Sequence, residues 1–384
     1  MRAASTLRLL AKWTPRVHVI VVPILAPGSR PPDDVAALCT SWAIVENPQP
    51  HRVIRADAAL PWPRDVPVGL HVPYALRRCN RAWRKAVGAA IRRHRPELLV
   101  LFRFAVAPFV MAERPRGVPV WVDVEELESD VRRRLADLHS LRGGDEAAAA
   151  LRAVAQTYEV LEDRGMREFD RVFATTPREA ERADLHRHGA AVRVMPNVYP
   201  ADRPQAPKPV CGTARLLYVG TFGYYPNHDA VEYFRESILP EIRRRSPRPV
   251  ELLLVGSGPN PIADHPEPDV RFVGAVPDTT PFYAMSDAAI VPLRSGGGSR
   301  IKILEAFSHA RAVISTTIGA DGIEAVPDVH VKIGDSPADF AARCIDVIED
   351  AKIRADLAQR GHDFFLAHHN FEALDAMIPS LFGG

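Results

Sequence analysis

The residues best suited to chemistry lie in one stretch, Ser295-Gly-Gly-Gly-Ser-Arg-Ile-Lys-Ile-Leu-Glu-Ala-Phe-Ser-His-Ala310. An apolar run that reads as a strand precedes it, and a helical period follows. Gly296, Gly297 and Gly298 let the backbone come close to a ligand. The first amides of the following helix point outward, where an anion is favoured. Arg300 and Lys302 place two cations in the first turn, where the helix dipole disfavours them. Cations so placed cost stability until an anion arrives, which points to a phosphate group. Glu305 falls three residues after Lys302, on roughly the same face, and could accept two hydrogen bonds from a ribose diol. The competing reading is a glycine turn followed by a solvated Arg/Lys/Glu face, and this stretch alone does not separate the two.

Three further motifs weigh on that choice. Leu216-Leu-Tyr-Val-Gly-Thr-Phe-Gly-Tyr-Tyr-Pro-Asn-His-Asp-Ala-Val231 puts Gly220 and Gly223 at the end of a strand. Asn227 reads as the cap of the next helix, with Asp229 in its first turn. LLLVGSGP, from 252, is another strand running into a glycine turn. It lacks the full G-x-G-x-x-G and an acid placed for a ribose, which argues against a dinucleotide site. VRFVGAV, from 270, precedes FYAMSD. In the first half, VPVWVDVEEL puts Asp123 and Glu125 at a strand's carboxyl end. They either hydrogen-bond an acceptor or are acids favoured by a helix N-terminus. Arg103 ends the LLVLF run and either faces the same side or makes a structural pair.

The elements that position these residues alternate throughout between strand-like runs and helical periods, which reads as α/β with parallel sheets. In the first half, strands are expected at 17–23, 98–102, 118–122 and 171–175, with helices at about 77–95 and 146–169. Four prolines between 200 and 209 mark an exposed linker. A second cycle follows, with strands expected at 216–220, 251–255, 270–273, 288–292, 312–316 and 330–333. A helical tail spans 337–382 and breaks near 371. Two domains are therefore expected, 1–199 and 210–384, both Rossmann-like, with a ligand cleft at the carboxyl ends of the strands.

Composition sets the outer limits. At 47% hydrophobic and 25% charged over 384 residues, the chain can bury large cores. Its net charge of +2 is too even for a nucleic-acid coat. The four cysteines, Cys39, Cys79, Cys211 and Cys344, form no C-x-x-C pair and read as mostly buried thiols in a reducing, cytoplasmic setting. No run reaches the ~18 apolar residues of a membrane span. The apolar N-terminal stretch is broken by Arg8 and Lys12, with no cleavage site for a secretory signal. Residues 77–95 carry eight Arg or Lys and no acid. Trp83, Val87 and Ile91 lie on one face at four-residue spacing, against the core. The polar face is either solvated or rests peripherally on anionic lipid at the inner face of a membrane.

In their order, YVGTFGYYPNHDAV, LLLVGSGP, VRFVGAV, YAMSDAAIVPL and GGGSRIKILEAFSHARAVISTTIGADGI resemble the family-4 (group 1) glycosyltransferases of the GT-B fold. The tail ARCIDVIEDAKIRADLAQRGHDFF is similar to that family's terminal helices. The resemblance covers the second half closely and the first half loosely. It implies two Rossmann-like domains facing each other across a cleft, with terminal helices packing back towards the first domain. Glu305 would hold the donor ribose, and Arg300 and Lys302 the diphosphate. Gly296, Gly297, Gly298 and Ser299 would face phosphate or sugar, Gly220 and Gly223 the leaving phosphate, and Gly274 and Val276 the base.

The family transfers a sugar with retention from a nucleotide-diphosphate sugar, usually without a metal. Here that implies a glycan, lipid-linked or small-molecule acceptor, held in the first half near Arg103, Asp123 and Glu125. Asp123-Val-Glu125 has the form of a D-x-D metal pair, but the chain lacks the layout of the other glycosyltransferase fold. His309, His368 and His369 have no metal-ligand spacing and read as structural.

Two departures from the pattern stand out. Gly297 occupies the position, eight before Glu305, where family members often carry a sugar-touching glutamate. Residues 3–13 already resemble the family's first helix, which implies either a misassigned start or a first domain lacking its first strand. These departures motivate an alternative, a catalytically degenerate binding or scaffold protein of the same fold. A sugar-nucleotide epimerase would need acid–base groups around the donor sugar that the sequence does not place. A Rossmann dehydrogenase is disfavoured by the incomplete glycine fingerprint.

Overall fold

The computed structural model describes residues 2–24, 32–50, 62–63, 73–187, 192–201, 212–297 and 300–383. Two compact units result, one of residues 1–196 with 375–384 and one of residues 197–374. Both are α/β with parallel strands, as the alternating pattern predicts.

The first unit holds two parallel sheets. β1 (His18–Val21) pairs with β2 (Ser41–Ile44). β3 (Leu99–Phe102), β4 (Val120–Glu125), β5 (Arg171–Ala174) and β6 (Val192–Val194) pair side by side in that order. The helix Arg81–His94 begins where Asn80 caps it, accepting from the Trp83 amide at 2.9 Å. Trp83, Val87 and Ile91 are buried on its inner face, and the Trp83 ring meets Phe109 edge-on at 4.8 Å. The basic surface of this helix is not purely solvated. Lys85, Arg92 and Arg84 lie 3.2, 3.9 and 4.0 Å from the Glu113 carboxylate, an acid from outside the helix. Among the described residues no helix is long and apolar enough to cross a membrane. Cys79 and Cys344 are buried and Cys39 half-buried; Cys211 lies outside the described residues.

The second unit holds one six-stranded sheet. Its strands are β7 (Ala214–Val219), β8 (Val250–Val255), β9 (Val270–Gly274), β10 (Ala288–Val291), β11 (Ala312–Ser315) and β12 (Lys332–Ile333), in the spatial order β12-β11-β10-β7-β8-β9. β10 and β11 are buried along their whole length, because a parallel sheet covered on both faces needs continuous apolar runs. The chain winds from β7 out to β9, then returns to lay β10 on the other side of β7. The order reverses between those two strands, and in such sheets the crevice at the reversal is where a ligand binds.

Candidate functional site

The reversal point brings together the segments that the sequence singles out. β7 leads into the loop of Gly220 and Gly223, and β10 leads into the glycine stretch and the helix Ile301–Ser308. The loops after β7 and β8 and the end of β9 lie backbone on backbone. The Gly220 amide donates to the Val255 carbonyl (3.0 Å), Phe222 to Ser257 (2.7 Å) and Gly256 to Gly274 (2.9 Å). Gly256 has φ +142°, and a Cβ there would sit 1.8 Å from the Gly220 carbonyl oxygen. The glycines of LLLVGSGP are therefore spacers that let the loop after β7 pack close. Gly274 sits at the end of β9 with φ +83°, and Val276 is half-buried just beyond it.

Arg300 is buried at the start of the helix Ile301–Ser308. Its guanidinium donates to the carbonyls of Gly297 and Ile318, the latter at 3.1 Å. It folds back over Gly296, whose φ of +138° and missing side chain make room: a Cβ there would lie 3.0 Å from Nη1. Gly297 is half-buried, and Gly298 and Ser299 lie outside the described residues.

Lys302 is half-buried and reaches back toward β7. Its Nζ donates to the Tyr218 hydroxyl and to Asn227 Oδ1, each at 2.8 Å, and stands 4.2 Å from the Tyr218 ring centroid. No carboxylate lies within 4 Å of this ammonium among the described residues. Burial, and secondarily the charge of Arg300, bring its pKa down to about 7 against the opposing pull of Glu305. Glu305 is buried one turn on, and Oε1 accepts from the Thr279 hydroxyl at 2.7 Å. Thus one short helix touches the end of β7 and the helix Tyr225–Tyr233 through Lys302, and the turn after β9 through Glu305.

The site also contains residues that the sequence reading missed. Asn227 is not a helix cap. The helix Tyr225–Tyr233 starts two residues earlier, with Pro226 in its first turn, a position that needs no amide hydrogen. The Asn227 side chain turns instead to Tyr218, Lys302 and the Thr221 carbonyl. Asp229 is fully buried and forms a two-bond pair with Arg294, the Nε–Oδ2 arm at 3.0 Å. Arg294 also lies 4.6 Å from the Tyr233 ring centroid. That cation is neutralised by an acid; Lys302 faces neutral oxygens.

The first-unit candidates gather at the carboxyl ends of β3 and β4. Arg103 and Glu125 form an ion pair at 2.6 Å, and both hold positive φ, +71° and +57°. Such strain in non-glycine residues concentrates at functional sites. Asp123 is fully buried; Arg2 approaches its carboxylate at 2.9 Å and the Thr6 hydroxyl donates to it at 2.8 Å. Among the described residues, no group of three or more His, Cys, Asp or Glu is arranged to hold a metal ion.

Residues 213–350 match the family model described as glycosyl transferases group 1, so the second unit carries a domain of that family. Sucrose-phosphate synthase from Thermosynechococcus elongatus is similar in structure, with a TM-score of 0.64 at 17% identity over 96% of this chain and 98% of that one. Anabaena HepE, solved with UDP and glucose, gives 0.64 at 12% identity over 98% and 94%. WaaG, a glycosyltransferase involved in lipopolysaccharide biosynthesis, gives 0.59 at 15% identity over 100% and 95%. At these identities the likeness is one of fold, the GT-B glycosyltransferase fold. No curated protein matches by sequence at a significant level.

Proposed function

We propose that this chain, whose residues 213–350 form a group 1 glycosyltransferase domain, moves a sugar from a nucleoside diphosphate sugar to an acceptor hydroxyl. The observation that carries the reading is Lys302, a half-buried cation at the sheet's reversal point with no carboxylate within 4 Å among the described residues. The diphosphate would sit against Lys302 and Arg300, and the ribose diol against Glu305. HepE was solved with UDP and with UDP-glucose, which makes UDP the first donor base to test.

In the reaction, the bond from the anomeric carbon to the phosphate oxygen breaks and a bond to the acceptor oxygen forms. The acceptor's proton goes to the departing phosphate oxygen, so no side-chain base is required. Retention follows if that oxygen and the acceptor share one face of the sugar. Developing negative charge on the leaving diphosphate would be met by Arg300 and Lys302. In this reading they supply the countercharge without a metal ion. The acceptor is a glycan, a lipid-linked saccharide or a small molecule, held by the first unit with the Arg103–Glu125 pair nearby. Exposed cations of the helix Arg81–His94 would rest on anionic lipid at the cytoplasmic face of a membrane, each worth about 1 kcal/mol.

The test is a thermal-shift panel of UDP, GDP, ADP and dTDP with their sugars, followed by a turnover assay on whichever sugar nucleotide binds. Binding with slow hydrolysis and transfer supports the enzyme. Gly297 in place of a carboxylate favours a second reading, a non-catalytic binder of the same ligand. Binding with no turnover of any kind selects that one.

A further inference from the structure

Among the described residues, Lys302 is held only by oxygens that carry no charge. Its ammonium has three protons to donate. Two are taken by the Tyr218 hydroxyl and Asn227 Oδ1, at 2.8 Å each, and the third has no acceptor among the described residues. The Tyr218 hydroxyl itself donates to the same Asn227 oxygen at 2.8 Å. Asn227 Nδ2 donates to the Thr221 carbonyl at 2.9 Å, which fixes which end of the amide is the oxygen. Tyr218 is buried, and burial pushes its hydroxyl pKa up, so it stays a neutral partner. The neighbouring acid, Asp229, is committed to Arg294. The same helix thus presents an acid to one cation and an amide to the other.

We propose that Tyr218 and Asn227 are positioning residues for a diphosphate: they aim Lys302 through neutral oxygens, so that its charge stays uncompensated until a phosphoryl group arrives. Asn227 also ties that charge to the loop after β7, through Thr221. An acid at 227 would neutralise the ammonium in place, and an entering phosphate would have to compete with it. This inference rests on the donor-site reading above and adds to it the two residues that keep the lysine available.

The variants are Asn227→Asp and Tyr218→Phe. Binding is measured by calorimetry, with the nucleoside diphosphate that wild type binds among UDP, GDP and ADP, and with the matching nucleoside. Asn227→Asp should weaken the diphosphate by about 30-fold or more and leave the nucleoside unchanged. Its affinity should also hold nearly flat between about pH 7 and 9, where that of wild type falls, because a carboxylate keeps Lys302 charged. Tyr218→Phe keeps the ring and drops the hydroxyl, and should weaken the diphosphate selectively by about 3- to 10-fold.

Diphosphate affinity within twofold of wild type in both variants overturns the proposal. So does an equal loss for both ligands with an unaltered pH profile. If Asn227→Asp does not fold, Tyr218→Phe decides alone on the same criteria. A wild type that binds none of the three diphosphates overturns the donor-site reading itself, and this inference with it.

Discussion

On the proposed donor-site reading, Lys302 makes diphosphate binding a proton-linked event. Its free-state pKa of about 7 comes first from burial and then from the nearby Arg300 charge. A bound diphosphate adds negative charge and shifts the amine back toward its ordinary value near 10.4. At pH 8 the unliganded amine is about one-tenth protonated, and the liganded amine is almost fully so, so binding takes up about 0.9 proton per site. The same linkage weakens affinity by up to about tenfold per pH unit above 7, until the liganded amine itself titrates. The assay is titration calorimetry at pH 8 in buffers of different ionisation enthalpy, where the slope of observed against buffer enthalpy gives the proton count. Lys302→Met is the control, and its residual binding should show a slope near zero. Diphosphate binding by wild type with no proton uptake at pH 8 would refute this reasoning.

Four further outcomes follow from particular contacts. Lys302→Met should raise the melting temperature at pH 7, by about 2–4 °C for each kcal/mol of relieved burial cost. The lysine's folded pKa lies below its unfolded value, so wild type gains stability as pH rises from 7 toward 10, and the difference should shrink over that range. Gly256→Ala drives a Cβ into the Gly220 carbonyl; urea unfolding should show a loss of about 2–4 kcal/mol and donor affinity should fall. Arg294→Met leaves Asp229 buried without its guanidinium partner, which should cost about 3–5 kcal/mol in the same unfolding measurement. Glu162 is fully buried, and burial first of all lifts its carboxyl to about 8 despite the Ser129 hydrogen bonds. A raised carboxyl pKa means stability present in acid and lost as pH climbs from 4.5 through 8. Glu162→Gln should therefore match wild type near pH 5 and exceed it near pH 8.5 in thermal melts.

The second unit was the more legible in sequence, and the reason is physical. All six of its expected strands form, and the central ones are the plainest because parallel strands covered on both faces must be written as apolar runs. The first unit hides more. The helix Glu128–Leu141 went unread, since its buried positions include Ser129 and Asp130 as well as Ala136 and Leu138, and polar residues mask the helical period. β2 is harder to read because its apolar run, Trp42-Ala43-Ile44-Val45, is only four residues long and periodicity alone does not tell so short a run from a helix segment. The long helix expected to reach 169 ends at Gly165 and finishes in a tighter turn, Met166–Glu168. At the site, residue types and local spacing pointed to Arg300, Lys302 and Glu305. Their partners Tyr218, Thr279 and Ile318 were out of reach, because those contacts depend on which strand ends the sheet order sets side by side. The Asp229–Arg294 pair, joining residues 65 positions apart, had no local signal either.

The account stands most directly on one comparison: the affinities of a nucleoside diphosphate and of its nucleoside for the wild type and for the Arg300→Ala, Lys302→Ala double variant. Wild type should prefer the diphosphate by about 100-fold or more, and the double variant should lose most of that preference while binding the nucleoside as before. An equal loss for the two ligands, or a preference that survives both substitutions, would contradict it.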